Sequence, residues 1–381
     1  MDSTLKKLRI KEKIQGREKK MALKKSELYS SLWSSCDELR GGMDASQYKD
    51  FRLKAGEIVM GRRGDMGRCP VVQSHQSGWL CGTGSMIVRG GNTDANFLQR
   101  VLSSSHVIAA IEATSVGSTM INLNQSTLAG LRIQSPPLPE QRAIAGALSD
   151  VDALLGALDQ LIAKKRDLKQ AVMQQLLTGQ TRLPGFHGEW EVKRLGNLAR
   201  IQRGASPRPI ENPIWFDENS SIGWVRISDV TRSGMFFRET IQRLSPLGVQ
   251  HSRPVGRGSL IMSICATVGR PVITEIDVCI HDGFVVFDDL QAQMLFIYYV
   301  LKWIEPDWSK HGQTGSQMNL NTGLITGTEI TLPPLDEQTA IAQVLSEIDA
   351  ELAALEQRRE KTRALKQGMM QELLTGRTRL V

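Results

Sequence analysis

The sequence lacks long apolar runs and paired cysteines. No window approaches the ~18 apolar residues of a membrane-spanning helix, and no apolar run follows the basic N-terminus as in a secretory signal. The five cysteines never form a CxxC pair; they are Cys36, Cys69, Cys81, Cys265 and Cys279. We therefore expect reduced thiols in a cytoplasmic protein, with no disulfide framework and no zinc site.

Catalytic motifs are also missing. There is no GxxxxGK[ST] loop for nucleotide hydrolysis, and the six histidines show no metal-ligand spacing. An adenine methyltransferase, the rival class, needs an Asn-Pro-Pro-aromatic loop that grips a flipped base. The nearest string, Asn212-Pro-Ile-Trp215, lacks the second proline. We expect a protein that is not an enzyme and that uses no cofactor.

The body of the chain has no excess of either charge. Residues 1–25 contain ten Lys and Arg against three Asp and Glu, whereas the remaining 356 residues contain 37 of each sign. The net charge of +7 therefore belongs to an N-terminal tail and is no evidence for a DNA-binding surface elsewhere. For the tail itself, disorder is favoured over DNA contact.

What the sequence does contain is a long internal repeat. Residues 136–183 recur without a gap as residues 333–380, 197 positions later, with 30 identities in 48 positions. The copies open PPLPEQ and PPLDEQ, and they close LLTGQTRL and LLTGRTRL. Each copy follows a dissimilar segment that ends in Asn-Leu-Asn. Repeated helices behind dissimilar segments favour recognition of two sites over a single catalytic pocket.

Each copy is predicted to be a long helix, which starts near Pro139 in the first copy and stops at Gly179 or Gly376. Apolar residues at heptad-like spacing predict a coiled-coil stripe. In the first copy the stripe is Leu148, Val151, Leu155, Leu158 and Ile162, then, after a one-residue shift, Leu161, Leu168, Val172 and Leu176. In the second copy it is Leu345, Ile348, Leu352, Leu355, Leu365, Met369 and Leu373. Charged residues are expected on solvated faces, namely Asp159, Lys164, Arg166, Lys361 and Arg363.

Such narrow stripes do not stabilise a lone helix. We predict that the two copies pair with each other, antiparallel and related by pseudo-two-fold symmetry. The alternative is that each copy packs on its neighbouring domain. About 30 helical residues at ~1.5 Å rise span ~45 Å, which exceeds one DNA turn of ~34 Å and suits two nearby half-sites.

The segments between the repeats predict an α+β fold. In residues 184–332, strands are predicted at 224–227, 259–264, 271–274 and 283–287, and a helix at 291–303. Residues 51–135 repeat only the latter part of this pattern, with GEIVM at 56–60 matching GSLIM at 258–262 and a helix at 96–104. The first unit is about 60 residues shorter and lacks the front half.

Tandem variable domains, each followed by a PPLxEQ helix ending in LLTG, resemble the specificity subunit of a type I restriction-modification system. The resemblance covers residues 51–381. LGNLARIQRGASPRP (195–209), IGWVRISDV (222–230) and QTGSQMNLN (313–321) are typical of its second target recognition domain. It implies recognition of double-stranded DNA, an antiparallel coiled coil, and association with methyltransferase subunits, two of them, and with restriction subunits.

The resemblance implies five segments. They are a basic tail with a helical segment (1–50), a truncated first target recognition domain (51–135), the first coiled-coil helix (136–183), a second target recognition domain (184–332) and the second coiled-coil helix (333–381). Residues 21–50 depart from the pattern, because LYSSLWSSCDELRGGMDASQYKD (28–50) resembles the start of the partner methyltransferase subunit. The alternative function is therefore a truncated or chimeric remnant, a coiled-coil assembly scaffold with one working half-site reader.

Candidate DNA contacts lie in four places of the second recognition domain. Arginine favours guanine, and glutamine or asparagine favours adenine. The candidates are Arg203, Ser206 and Arg208 in a Gly/Pro-rich loop, Arg226, Ser228 and Asp229 at a strand end, Arg270 after a turn, and Gln313, Thr314, Ser316, Gln317 and Asn319 in a polar loop. Weaker equivalents in the first unit are Arg62, Arg63 and Arg68, with Ser118, Thr119 and Asn122. For any single arginine, a solvated charge or a surface ion pair is an equally open interpretation.

Overall fold

The computed structural model describes residues 51–62, 68–82, 84–113, 123–311 and 320–380. The predictions for residues 1–50, for Arg63, for Ser118, Thr119 and Asn122, and for the polar loop at 313–319 lie outside the described residues. The chain divides into two compact units: unit 1 comprises residues up to 152 together with those from 364 onward, and unit 2 comprises residues 153–363. Both units mix helices and strands, which confirms the α+β class.

Two helices of 40 residues each form the repeats. The first repeat helix is Leu138–Leu177 and the second is Leu335–Leu374. Gly179 and Gly376 follow them with a φ of +69° each, the left-handed conformation that glycine adopts at no steric cost. The predicted helix ends are therefore confirmed.

The apolar stripe of the first repeat helix continues without the predicted shift. Leu161 and Leu168 are 47% and 49% exposed, so their assignment to the stripe is wrong. Buried or half-buried positions instead keep a spacing of three and four residues throughout; they are Leu148, Val151, Leu155, Leu158, Ile162, Lys165, Lys169, Val172 and Leu176. Lysines at two stripe positions hid this regular pattern.

The second repeat helix has its stripe at the matching positions, 197 residues later. Leu365, predicted in the stripe, is 60% exposed, so that assignment is also wrong. Polar residues again occupy the middle of the buried or half-buried set, which is Leu345, Ile348, Leu352, Leu355, Arg359, Thr362, Lys366, Met369 and Leu373.

Ion pairs join the two repeats within each unit, through residues of the helices and through Arg182 and Arg379 beyond the helix ends. In unit 1, Glu140 binds Arg379 and Asp152 binds Lys366. In unit 2 the pairs are Asp159–Arg359, Lys165–Glu351, Arg166–Glu356, Lys169–Asp349 and Arg182–Glu337. In unit 1 the partner's number falls as the residue number rises, and in unit 2 it falls from Arg359, the partner of Asp159, to Glu337, the partner of Arg182. Asp159 and Arg166, expected on solvated faces, thus also contribute to these pairs.

Unit 1 contains a single described β-hairpin. Strands β1 (Ile58–Gly61) and β2 (Ser85–Val88) pair antiparallel. The helices that follow are α1 (Ala95–Leu102), α2 (Ser105–Ala113) and α3 (Gln125–Ala129), and a 3-10 turn spans Ser74–Gln76. The hairpin and helices bury a core with the repeat helices, which includes Ile58, Met60, Phe97, Ile111, Leu148 and Leu373. None of the described helices in either unit has the length and apolar character that a membrane span requires.

Unit 2 contains three sheets among its described residues. The strands are β3 (Glu191–Arg194), β4 (Arg200–Arg203), β5 (Gly223–Val225), β6 (Phe236–Phe237), β7 (Gln242–Arg243), β8 (Arg253–Val255), β9 (Leu260–Ser263), β10 (Pro271–Thr274), β11 (Val278–Ile280), β12 (Phe284–Asp288) and β13 (Glu329–Leu332). The strand orders of the sheets are β4-β12-β9-β10-β6, β7-β5-β11-β8 and β13-β3. The helices are α4 (Leu195–Leu198), α5 (Ile227–Arg232), α6 (Pro246–Gln250), α7 (Met294–His311) and α8 (Thr322–Gly327), with a 3-10 turn at Pro213–Trp215.

The hairpin of unit 1 has the same register as strands β9 and β12 of unit 2. Gly61 pairs with Ser85, and the matching Ser263 pairs with Phe284. In unit 2, β12 also pairs with β4 on its other side. Among the described residues of unit 1, β2 has no such second partner. The strand that ends in the Gly/Pro-rich loop is thus a feature of unit 2.

Candidate nucleic-acid interface

The first part of the site is the loop that follows β4. This strand ends at Arg203, and Gly204 then lies against the turn between β11 and β12. A Cβ on Gly204 would come within 2.2 Å of the carbonyl oxygen of His281, so the close approach requires glycine. The Gly204 amide donates to the carbonyl of Phe284 at 2.9 Å. The loop is therefore fixed to the adjacent turn by its backbone.

Asp282 in that turn binds three of the predicted DNA-contacting side chains. Arg203 Nε donates to the Asp282 carbonyl oxygen at 2.6 Å. The Ser206 hydroxyl donates to carboxylate oxygen Oδ1 at 2.7 Å, and Arg208 Nη2 donates to Oδ2 at 3.2 Å. Arg208 is still 71% exposed. Asp282 therefore holds three side chains of the loop together, and the guanidinium group of Arg208 remains accessible to solvent.

The pKa values of Asp282 and His281 set the charge of the turn at neutral pH. Burial opposes ionisation of Asp282, but the hydrogen bond from Ser206 and nearby positive charge outweigh it and lower the pKa of this carboxyl. Burial, the largest influence, lowers the pKa of His281, although the charge of Asp282 opposes it. At neutral pH Asp282 is therefore an anion and His281 is a neutral imidazole.

The second part of the site is the end of β5 and its partner strand β7. Trp224 pairs with Gln242 in the register of these strands. Arg226 follows β5, and its Nη1 donates to Gln242 Oε1 at 2.6 Å. Arg226 is exposed, whereas Trp224 is 1% exposed.

Both parts border one cavity of about 600 Å³. Its lining combines an apolar floor with charged and amide side chains: Ser206, Arg208, Ile210, Glu211, Pro213, Phe216, Trp224, Arg226, Gln242, His281 and Asp282. Two segments chosen from sequence alone, 203–208 and 226–229, are thus brought together at this cavity. Among the residues that the structure describes, no group of His, Cys, Asp or Glu is placed to hold a metal ion.

Not every predicted contact reaches this surface. Asp229 is 4% exposed and lies in helix α5 rather than at a strand end. Its carboxylate accepts hydrogen bonds from the Arg226 amide and from Arg232, so its prediction as a DNA contact is wrong. Ser228 is exposed on the same helix. Arg270 is half-buried and donates to the carbonyl of Ser233 at 3.2 Å.

The predicted residues of unit 1 do not form an equivalent site among the described residues. Arg62 Nε donates to the carbonyl oxygen of Leu123 at 3.2 Å, and the Arg62 carbonyl oxygen accepts a hydrogen bond from the Leu123 amide. Arg68 is exposed next to the hairpin. The residue at the sequence position of Asp282, just before β2, is Thr83, which has no carboxylate.

Sequence reasoning missed four polar residues of the cavity lining: Glu211, Gln242, His281 and Asp282. One signal was available for the last two, because His-Asp-Gly between two apolar runs is a turn sequence. No pattern marked Gln242, since its position opposite Trp224 depends on the pairing of β5 with β7.

Comparisons with known proteins point to a DNA-recognition class. Residues 41–165 and 187–364, more than half of the chain, match the family described as the type I restriction modification DNA specificity domain. The putative type I restriction enzyme MjaX specificity subunit of Methanocaldococcus jannaschii is 24% identical over 351 residues, which cover 87% of this chain and 80% of that protein. The MjaVIII specificity subunit of the same organism is 25% identical over 296 residues, covering 71% and 67%.

Two solved structures support the fold. One was determined in a study of complex assembly and conformational transition of the type I R-M system; it has a TM-score of 0.58 and 19% identity, and the match covers 85% of this chain and 83% of that one. The other, the type I restriction-modification S subunit of M. genitalium, has a TM-score of 0.54 and 17% identity, covering 86% and 84%.

The α+β fold and the family match define a non-catalytic protein that recognises DNA. The chain belongs to the family of type I restriction-modification specificity subunits, and it acts as a DNA sequence-specificity subunit.

Proposed function

We propose that residues 184–332 form the target recognition domain that reads one half-site of double-stranded DNA, with the surface around Asp282. The observation that carries this proposal is the convergence of Arg203, Ser206 and Arg208 on Asp282, beside the cavity that Arg226 also borders. Exposed arginines suit phosphate contacts, and a polar concavity suits base edges.

The proposed reading surface extends beyond this cavity. Ser228 and Arg270 contribute from the same domain, and the polar loop contributes base-edge contacts through Gln313, Thr314, Ser316, Gln317 and Asn319. Arg62, Arg63 and Arg68 in the 51–135 domain contribute phosphate contacts at most. The described part of that domain has neither a strand matching β4 nor a carboxylate matching Asp282, which supports this ranking.

The helices of the two repeat segments (136–183 and 333–381) form an antiparallel coiled coil with pseudo-two-fold symmetry. Support comes from ion pairs that are related by the 197-residue offset of the repeat. Glu140–Arg379 in unit 1 becomes Arg182–Glu337 in unit 2. Asp152–Lys366 likewise becomes Lys169–Asp349. A 3-4 spacing of buried positions fits coiled-coil packing.

The chain acts with two methyltransferase subunits and with restriction subunits, in the cytoplasm, and directs both activities to its DNA site. Membership of the specificity family supports these partners. The family match extends over both variable segments, which favours a specificity subunit over a pure assembly scaffold.

Footprinting tests the reading role. The purified chain with its methyltransferase subunits should protect a defined sequence in DNA of otherwise random composition. The intact chain is the reference protein, and the chain with Arg208→Ala is its matched variant. DNA binding in a gel-retardation assay that is salt-sensitive but shows no preferred sequence would contradict the proposal, because counterion release alone produces that behaviour.

A further inference from the structure

We propose that Arg226 and Gln242 together read the acceptor edge of a guanine base at the cavity beside β5 and β7. This inference rests on the proposed DNA-reading role of residues 184–332, and it adds which base is recognised and by which side chains.

Strand geometry places the pair at the cavity. Trp224 and Gln242 are cross-strand partners, and Arg226 is two residues beyond Trp224, so strand alternation directs them to one face. All three line the cavity, where Trp224 is buried and Arg226 is exposed. The Arg226 amide donates to Asp229 at 3.1 Å, which holds the backbone from which the guanidinium extends.

The hydrogen-bonding capacity of the pair decides what it can recognise. Arg226 has only donors, so the Gln242 atom that meets it must be the amide oxygen, as the 2.6 Å contact has it. That contact uses the Gln242 acceptor and leaves its NH₂ group to donate. The remaining N–H groups of Arg226 have no hydrogen-bond partner among the described residues. The pair therefore presents mainly donors to a ligand, because the Gln242 amide oxygen already accepts a hydrogen bond from Arg226.

Guanine is the base whose major-groove edge matches such a surface. Its O6 and N7 are both acceptors, whereas adenine places the N6 amino donor beside N7. An adenine at this position would set its amino group against the donors of Arg226 and Gln242. Thymine offers O4 as its one acceptor, and cytosine offers a donor. The pair thus selects guanine by matching two acceptors and by repelling an amino group.

The charge of the cavity lining distinguishes between two possible ligands of these donors, a base and a phosphate. Phosphate oxygens are also acceptors and would satisfy the same donors. Glu211 and Asp282 line the same cavity, however, and carboxylates repel an anionic phosphate far more strongly than a neutral base. Arg208 also lines the cavity, but its side chain is 71% exposed, which suits a phosphate contact.

Selection from a randomised DNA library tests the inference. The chain is assembled with its methyltransferase subunits, and bound sequences are determined for wild type, Arg226→Ala, Gln242→Met and Gln242→Glu. Gln242→Glu keeps the size of the side chain and its bond to Arg226 but replaces the amide donors with a carboxylate acceptor. Arg243→Ala is the control, because Arg243 is the next residue of β7, donates to the Ser220 carbonyl at 2.8 Å and loses the same charge.

The expected result is loss of one guanine preference, by roughly 5- to 150-fold, in all three cavity variants, with the rest of the motif kept. Arg243→Ala should retain the whole motif. Melting curves check that each variant is folded. If Arg226→Ala instead weakens binding to all sequences equally and reduces the salt dependence, the contact is to phosphate and the inference is overturned.

Two further outcomes separate this inference from the function on which it rests. A wild-type motif that all three variants keep unchanged overturns the guanine assignment alone. A wild-type complex that enriches no motif overturns the proposed reading role, and the guanine assignment with it.

Discussion

Arg379 and Glu140 join the end of one repeat to the start of the other. Arg379 Nε donates to Glu140 Oε1 at 2.6 Å, and the second guanidinium nitrogen binds the other carboxylate oxygen. Glu140 belongs to the PPLPEQ motif and Arg379 to the LLTGRTRL motif. The motifs that open and close the repeats are therefore partners of each other. Bidentate geometry of this kind favours arginine over lysine.

Glu140 should make stability depend on pH. The hydrogen bond from Arg379, the largest influence, lowers the pKa of Glu140 in the folded chain below its ordinary 4.5. Stability from this carboxylate is then fully present above the ordinary pKa and is lost as pH falls through the lower, folded-state pKa. Glu140→Gln should lower the free energy of unfolding at pH 7, and its difference from wild type should shrink below pH 4.5.

Urea unfolding at pH 7 and at successively lower pH checks this expectation. Glu347→Gln is the control, since Glu347 is exposed on the second repeat helix. A Glu140→Gln difference that stays constant with pH would show that the carboxylate charge is not what stabilises the contact.

Leu158→Ala should destabilise the chain by about 2–5 kcal/mol, because it leaves a cavity at a buried position of the stripe. Leu158 is 4% exposed, whereas Leu161, three residues on, is 47% exposed. Leu161→Ala should therefore cost less than about 0.5 kcal/mol. Equal melting temperatures for the two variants would reject the burial pattern of the first repeat helix.

Tyr299→Phe should destabilise the chain by about 1–2 kcal/mol. The Tyr299 hydroxyl donates to Asp349 at 2.9 Å, and the same carboxylate binds Lys169 of the first repeat helix. Tyr298→Phe is the matched control, because the Tyr298 hydroxyl has no hydrogen bond to the described residues. Chemical denaturation compares the two, and a larger loss for Tyr298→Phe would contradict the role of this contact.

Gly204→Ala should weaken DNA binding by displacing the loop that carries Arg203, Ser206 and Arg208. The added Cβ would approach the His281 carbonyl oxygen to 2.2 Å, and backbone on both sides must move. Gly234→Ala in the same unit meets nothing within 4 Å and should bind DNA as wild type does. Gel-retardation assays measure the DNA affinity of both variants. An unchanged DNA affinity for Gly204→Ala would mean that the loop is not part of the interface.

Arg208→Ala should weaken binding to the cognate DNA by about 1–3 kcal/mol and leave subunit assembly intact. Arg238→Ala is matched to it, because Arg238 is also 71% exposed and pairs with an acidic residue, Glu275. Its loss should change affinity much less. The proposed role of Arg208 fails if assembly is lost while binding is retained.

The repeat and its helix ends were predictable from sequence, as were several strands of unit 2. Strand β10 was predicted at its observed bounds, Pro271–Thr274, because a short apolar run between turn residues has few other solutions. The continuous stripe was not predicted. Lys165 and Lys169 interrupt its apolar pattern, and their burial follows from Glu351 and Asp349 on the other helix.

By itself, the sequence determined where the two repeat helices and the two dissimilar segments lie along the chain, since periodicity and turn residues act locally. It also supplied the Gly/Pro-rich loop at 203–208, with its two arginines, as a candidate site. Tertiary structure alone decided that Asp282 gathers this loop, that Gln242 meets Arg226, and that Asp229 is buried. The contacts of Asp282 and Gln242 join residues up to 79 positions apart, and strand pairing, which no local pattern encodes, brings them together. Asp229 is instead bonded to residues three positions away, in and beside its own helix.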